Sequence, residues 1–208
     1  MSIVMMTRQA HPTPSGPFQR YRPAAQLMHW ATAILVLVAF VYGPGGPETR
    51  VYAPSRDFDR HLHETLGSTV FVLTLLRVTW RTLVKRPDPV PTSRWMGLTA
   101  SAVQALLYLL LFAVPLTAIF GAWLEGHPLA YVGGLQIGAP VAASHEMGVS
   151  LASVHGWLGD AILWVAGLHA VAALYHHFVL GDAVLVTMLP RWLGGQTRLR
   201  QGEARDRA

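Results

Sequence analysis

The chain has 208 residues, of which 52% are hydrophobic and only 13% charged, with a mean hydropathy of +0.35. The charged share is about half the roughly 25% of a soluble globular domain, so the composition indicates a membrane protein, at a length that suits one domain. The formal charge of +5 and the pI near 10.1 would suit a nucleic-acid binder. The basic residues, however, flank long apolar runs, where they set topology and meet anionic headgroups; the bilayer is the expected partner and nucleic acid is not. There is no cysteine, which excludes disulfides, thiolate-held iron–sulfur clusters, cysteine nucleophiles and the C-x-x-C-H attachment of c-type haem. Any metal must be held by His, Met or carboxylate.

In chain order, residues 1–19 are rich in Pro, Ser and Gly and read as a flexible extension without the pattern of a signal peptide. Arg20 and Arg22 precede a first apolar run over about 24–43, long enough to cross a bilayer core of about 30 Å. A Gly/Pro-rich loop with both charge signs follows. The second run covers about 62–84, with His61, His63 and Glu64 at its start and Arg77 and Arg81 towards its end. The basic connection KRPDPVPTSRW leads to the third run, about 98–124, which Pro115 should kink. Residues 125–152 form a loop without Lys or Arg, and the fourth run spans about 153–180. The segment DAVLVTMLPRWLGG, 182–195, reads as interfacial with Trp192 as an anchor, and 194–208 as a flexible basic tail. The expected architecture is an all-α membrane protein: a four-helix transmembrane bundle over 20–193. The basic N-terminal flank, the Lys85–Arg86–Arg94 connection and the arginine-rich tail put both termini in the cytoplasm by the positive-inside rule.

The fourth run carries four histidines, His155, His169, His176 and His177. At about 100° per residue, His155, His169 and His176 share one helical stripe and His177 turns away. At about 1.5 Å per residue, His155 and His169 lie roughly 21 Å apart along the axis. The topology gives each histidine a depth. His29 starts an outward-running helix and lies in the cytoplasmic half; His63 starts an inward-running one and lies near the outer face. Depth therefore pairs His63 with His155 and His29 with His169. Taken singly, a histidine near a helix end is more often interfacial than a ligand; four at two matching depths point to ligation, since ionisable groups within spans are costly and usually functional.

His61 lies about 160° round the helix from His63 and is not expected in the same site. His11, His127 and His145 fall in loops and read as solvated. His176 lies near the cytoplasmic boundary, where a ligand, a quinone or propionate contact and a plain interfacial residue are all open. Bis-imidazole ligation fills both axial positions of a haem and favours electron transfer over oxygen binding. A catalytic zinc would need three clustered ligands and an open position. Gly156, Gly159, Ala166, Gly167, Ala170 and Ala173 leave room for a macrocycle and equally suit close helix packing; Gly67, one turn beyond His63, fits the same two readings.

LMHW at 27–30, HETLG at 63–67, RVTWR at 77–81, LLYLLLFAVPLTAIFG at 106–121, HGWLGDAILWVAGLHAVAALYHHF at 155–178 and the closing MLPR together resemble the bacterial cytochrome b561 family, across all four spans and nearest its short stand-alone members. The resemblance implies two b-type haems in an inner-membrane protein, with iron ligands at His29, His63, His155 and His169, paired His29–His169 and His63–His155. It implies that superoxide gives its electron at the outer haem, that the electron passes inward, and that ubiquinone accepts two in turn. It also places His176 near a quinone region and makes Arg77 and Arg81 candidate quinone or propionate contacts. Arg50, Arg56 and Arg60 on the outer loop would steer an anion, or else pair with Asp57, Asp59 and Glu64 and steer nothing. The alternative is a cytochrome b anchor subunit that links a separate dehydrogenase or hydrogenase to the quinone pool, so a redox partner protein is left open.

Overall fold

The computed structural model describes residues 19–85 and 93–190. The expected extension with His11, Arg86 of the connection, the Trp192 anchor and the basic tail lie outside the described residues. The elements are α1 (Pro23–Tyr42), the short α2 (Glu48–Val51), a 3-10 turn at Pro54–Arg56, α3 (Asp57–Leu83), α4 (Arg94–Glu125), strands β1 (Leu129–Ala130) and β2 (Gln136–Ile137), α5 (His145–Phe178) and the short α6 (Val184–Met188).

The helix ends follow local chemistry. Pro23 occupies the first position of α1, where its missing N–H has no intrahelical use. Asp57 and Asp59 sit in the first turn of α3, where carboxylates complement the exposed N–H groups. Gly126 ends α4 in the left-handed conformation, φ +89°, and its N–H returns to the carbonyls of Ala122 and Trp123. Three expected starts move. Helix α3 starts at Asp57 rather than near 62, α4 at Arg94 rather than near 98, and α5 at His145 rather than near 153, so the α4–α5 loop is shorter than expected and carries the antiparallel pair β1–β2, with Leu129 opposite Ile137.

Helix α4 runs along α5 and α1 along α3, while α3 also meets α4. The core joins Val70 of α3, Leu110 and Leu111 of α4 and Ile162 of α5, flanked by Leu35 and Leu158. Outside this core the long helices bare large apolar side chains, such as Trp157, Trp164, Leu168 and Phe178 on α5 and Leu109 on α4, a surface that suits acyl chains rather than water. Among the described residues, three helices, α1, α4 and α5, are long and apolar enough to cross a membrane. Helix α3, at 27 residues, is long enough, but Arg60, Glu64, Arg77 and Arg81 lower its apolar content.

The start of α1 and the end of α6 meet at one end of the bundle. The Gln26 side chain, buried on α1, donates to the carbonyls of Thr187 and Leu189, and Trp30 Nε1 donates to Met188 O, all at 3.0 Å. These donors satisfy carbonyls at the end of α6 that have no intrahelical partner.

At the other end, the buried Gly148 of α5 lies against the end of α4: a Cβ there would stand 2.6 Å from the Glu125 backbone nitrogen. Gly148→Ala must force the two helices apart and should cost about 1–3 kcal/mol, read as a lower thermal unfolding midpoint in detergent. Gly138→Ala, where nothing lies within 4 Å, should leave the midpoint unchanged.

Candidate functional site

Two pairs of imidazoles face each other across the bundle. The His63 ring of α3 lies 5.8 Å from the His155 ring of α5, centroid to centroid, with an interplanar angle of 87°. The His29 ring of α1 lies 6.4 Å from that of His169, also on α5, at 73°. Metal–imidazole bonds of about 2 Å, plus the ring radius beyond each, put the centroids of two trans imidazoles about 6 Å apart. Both pairs therefore have the separation of a bis-imidazole metal site, and α5 contributes one ring to each.

The His63–His155 pair, the outer one in the expected topology, is held by backbone carbonyls. His63 Nδ1 lies 2.7 Å from Ala39 O, and His155 Nδ1 lies 2.9 Å from Val114 O. A carbonyl only accepts, so each Nδ1 carries the proton and each Nε2 is left with a lone pair for a metal. Ala39 is among the last four residues of α1, whose carbonyls lack helical partners. The Val114 carbonyl, like that of Ala113, also accepts from Thr117 Oγ1.

Around the outer pair lies a cavity of about 560 Å³, bounded by His63, His155, Gly67, Gly156 and Gly159. That volume falls in the range of cofactor pockets, roughly 300–1,000 Å³. A Cβ built on any of these three glycines would meet nothing within 4 Å, so they open space rather than bring helices into contact. Free Nε2 atoms, ring separation and glycine-cleared volume together fit a haem held between His63 and His155.

The inner pair is less prepared. Arg77 Nη2 lies 3.5 Å from His29 Nδ1. A guanidinium only donates, so this contact holds the His29 proton on Nε2, and ligation through Nε2 needs Arg77 to withdraw. Arg77 and Arg81 both lie over the Tyr108 ring, at 5.6 and 5.5 Å, and form a cationic cluster beside the inner pair. Gly167, two residues before His169, meets nothing within 4 Å of an added Cβ.

The other histidines separate. His61 meets Arg60 at 3.2 Å and, among the described residues, stacks on no second imidazole. His176 Nδ1 lies 2.5 Å from Asp182 Oδ2, and Asp182 Oδ1 accepts from the Val184 N–H, so the carboxylate is fixed on both sides. Its value could not be read from the sequence, because the chain turns through Gly181, φ +65°, to bring Asp182 back. His177 stacks edge-on with Phe178. Two loop assignments need correction. His145 is the first residue of α5, and His127 is half-buried, stacked on Tyr52 at 3.5 Å between centroids and bonded to Glu48. On the outer loop, Arg56 pairs with Asp59, and Arg60 with Asp57 and Glu64; Arg50 has no ion pair among the described residues.

A sequence profile described as Prokaryotic cytochrome b561 matches residues 20–191. The chain is 28% identical over 172 residues to "Cytochrome b561 homolog 2" of Escherichia coli (strain K12), covering 82% of this chain and 92% of the relative. It is 30% identical to "Probable superoxide oxidase CybB" of Yersinia pestis, covering 80% and 94%, and 33% identical to "Cytochrome b562" of Cereibacter sphaeroides, covering 78% and 90%.

Substituting His63 or His155 by Ala should remove one haem of the outer pair while His29 and His169 keep theirs, halving the haem released per chain as pyridine haemochrome. His61→Ala should leave the haem content unchanged.

Proposed function

The chain belongs to the prokaryotic cytochrome b561 family, haem-binding electron-transport proteins of the membrane, and on that premise we propose that it is a di-haem b superoxide:ubiquinone oxidoreductase of the bacterial inner membrane. Its four long helices span the bilayer with both termini in the cytoplasm, α3 being the fourth span, with its charged residues turned to the bundle interior or the interfaces. The observation that carries this reading is the double use of α5: one helix supplies an imidazole to each of two facing pairs, spaced along the helix axis by roughly 21 Å. The name of the Yersinia pestis relative supports the choice of superoxide.

The haem irons supply reversible one-electron transfer, the tuning of which falls to axial ligands and their hydrogen bonds. The chain's own residues do the rest. His63 and His155 hold the outer group, oriented by the Ala39 and Val114 carbonyls; His29 and His169 hold the inner one. Arg77 and Arg81 offer positive charge to a propionate or a quinone oxygen at the inner end. Two superoxide anions each lose one electron and leave as oxygen, and ubiquinone takes up the two electrons and two protons to become ubiquinol. Because Arg56 and Arg60 are compensated by carboxylates, Arg50 is the outer-loop cation left to steer an anion.

His176 delivers protons to the quinone. Asp182 accepts from Nδ1–H and fixes the ring, so Nε2 is the position that gives up a proton to a reduced quinone oxygen and regains it from the cytoplasmic side.

In a stopped-flow experiment, superoxide should reduce the haem of the purified protein; no reduction where dithionite reduces both haems would overturn the proposal. Asp182→Asn should lower the rate of quinone-dependent haem reoxidation by about tenfold or more while the rate of haem reduction by superoxide stays as in the unaltered protein.

A further inference from the structure

The outer end of the bundle carries a second donor set that the electron path leaves unused. Glu48 opens α2, Glu125 closes α4, and His127 follows two residues later across the Gly126 turn. One ligand atom from each of the three lies within 4.8 Å of the others. His127 Nε2 is 2.9 Å from Glu48 Oε1, and His145 Nδ1 is 3.8 Å from Glu48 Oε2. The set is fixed from several sides. Tyr52 stacks on the His127 ring at an interplanar angle of 20°. The His127 N–H donates to Ala122 O, the Ser144 N–H donates to Leu124 O, and Gly148 allows α5 to touch the Glu125 backbone.

We propose that Glu48, Glu125 and His127 bind one divalent transition-metal ion, zinc above the hard cations, with His145 as the fourth ligand. Two half-buried carboxylates at this separation repel one another, and a dication between them removes the repulsion. The imidazoles of His127 and His145 face the set; Arg60 of α3 is committed to Asp57 and Glu64. Imidazole with carboxylate is the donor chemistry of zinc and its neighbours, whereas magnesium and calcium take oxygen alone. Tetrahedral bonds of about 2.0–2.1 Å put ligand atoms about 3.4 Å apart; the three lie within 4.8 Å of one another and His127 and Glu48 at 2.9 Å, so the shifts needed are on the order of 1 Å, within the reach of glutamate rotamers. Burial and the carboxylates of Glu125 and Glu64 push the Tyr52 phenol well above its ordinary range, so it stays neutral beside the set. Glu48 and Glu125 also line both the His63–His155 cavity and an adjoining open cavity of about 550 Å³. The ion would thus cap the outer cavity and turn an anionic stretch of its wall neutral. This assignment does not depend on which donor reduces the haem.

The test is calorimetric titration of zinc chloride into the chelator-treated, haem-loaded full chain in detergent. The expected result is one ion per chain at the highest-affinity site, with affinity at least tenfold weaker in both Glu48→Gln and His127→Gln, unchanged in His177→Gln, and the haem spectrum constant throughout. X-ray absorption should show a first shell of nitrogen and oxygen. Absence of saturable zinc binding, or affinity equal to the unaltered protein in both variants, would overturn the proposal; the latter would put the ion elsewhere.

Discussion

An imidazole inside a membrane bundle must have both of its nitrogens accounted for, and the outer half of this molecule is arranged around that constraint. A buried N–H without an acceptor costs about 1–3 kcal/mol. His63 and His155 meet the cost with backbone carbonyls, Ala39 O and Val114 O. Ala39 lies in the last turn of α1, where carbonyls lack helical partners, so that helix end is part of the site. Fixing Nδ1–H leaves Nε2 as the only ligating atom, which is how an outer-shell bond sets both ring orientation and ligand basicity. The inner pair lacks such carbonyl anchors in the described contacts; Arg77 occupies the Nδ1 side of His29 instead. The two ends of α5 thus present the same residue type in different settings, which would separate the potentials of two centres built on them.

Much of the fold was legible because its signals are local. Runs of apolar residues bounded by Arg, Gly and Pro marked the four long helices, and the depth argument named the same histidine pairs whose rings lie 5.8 and 6.4 Å apart. Helix starts were misread where polar residues precede the apolar run. The Asp57–Arg60 turn is held by its own i,i+3 ion pairs, and the first turns of α5 from His145 carry too few apolar residues to be seen by hydropathy.

What the sequence could not disclose depends on contacts between distant segments. Glu64 accepts from the Ala130 N–H of β1, so a polar residue of α3 anchors the outer loop rather than marking a helix end. Glu48, Glu125 and His127 come together only because Gly126 reverses the chain and Gly148 lets α5 approach α4. Asp182 reaches His176 through the Gly181 turn. In the last two cases the informative residue was the glycine, whose role is visible only when its neighbours are known. The small residues of α5 show the same limit: Gly156 and Gly159 could have served helix contact or cofactor space, and the emptiness around their Cβ positions favours space.

The central claim, two bis-histidine haems sharing α5, is tested most directly by low-temperature electron paramagnetic resonance of the oxidised, purified protein. With imidazole planes at 73° and 87°, the account predicts two strongly anisotropic low-spin ferric signals, together integrating to two spins per chain and each lost with its own histidine pair. A single low-spin species per chain, or a dominant high-spin signal from an iron with one open axial position, would contradict it.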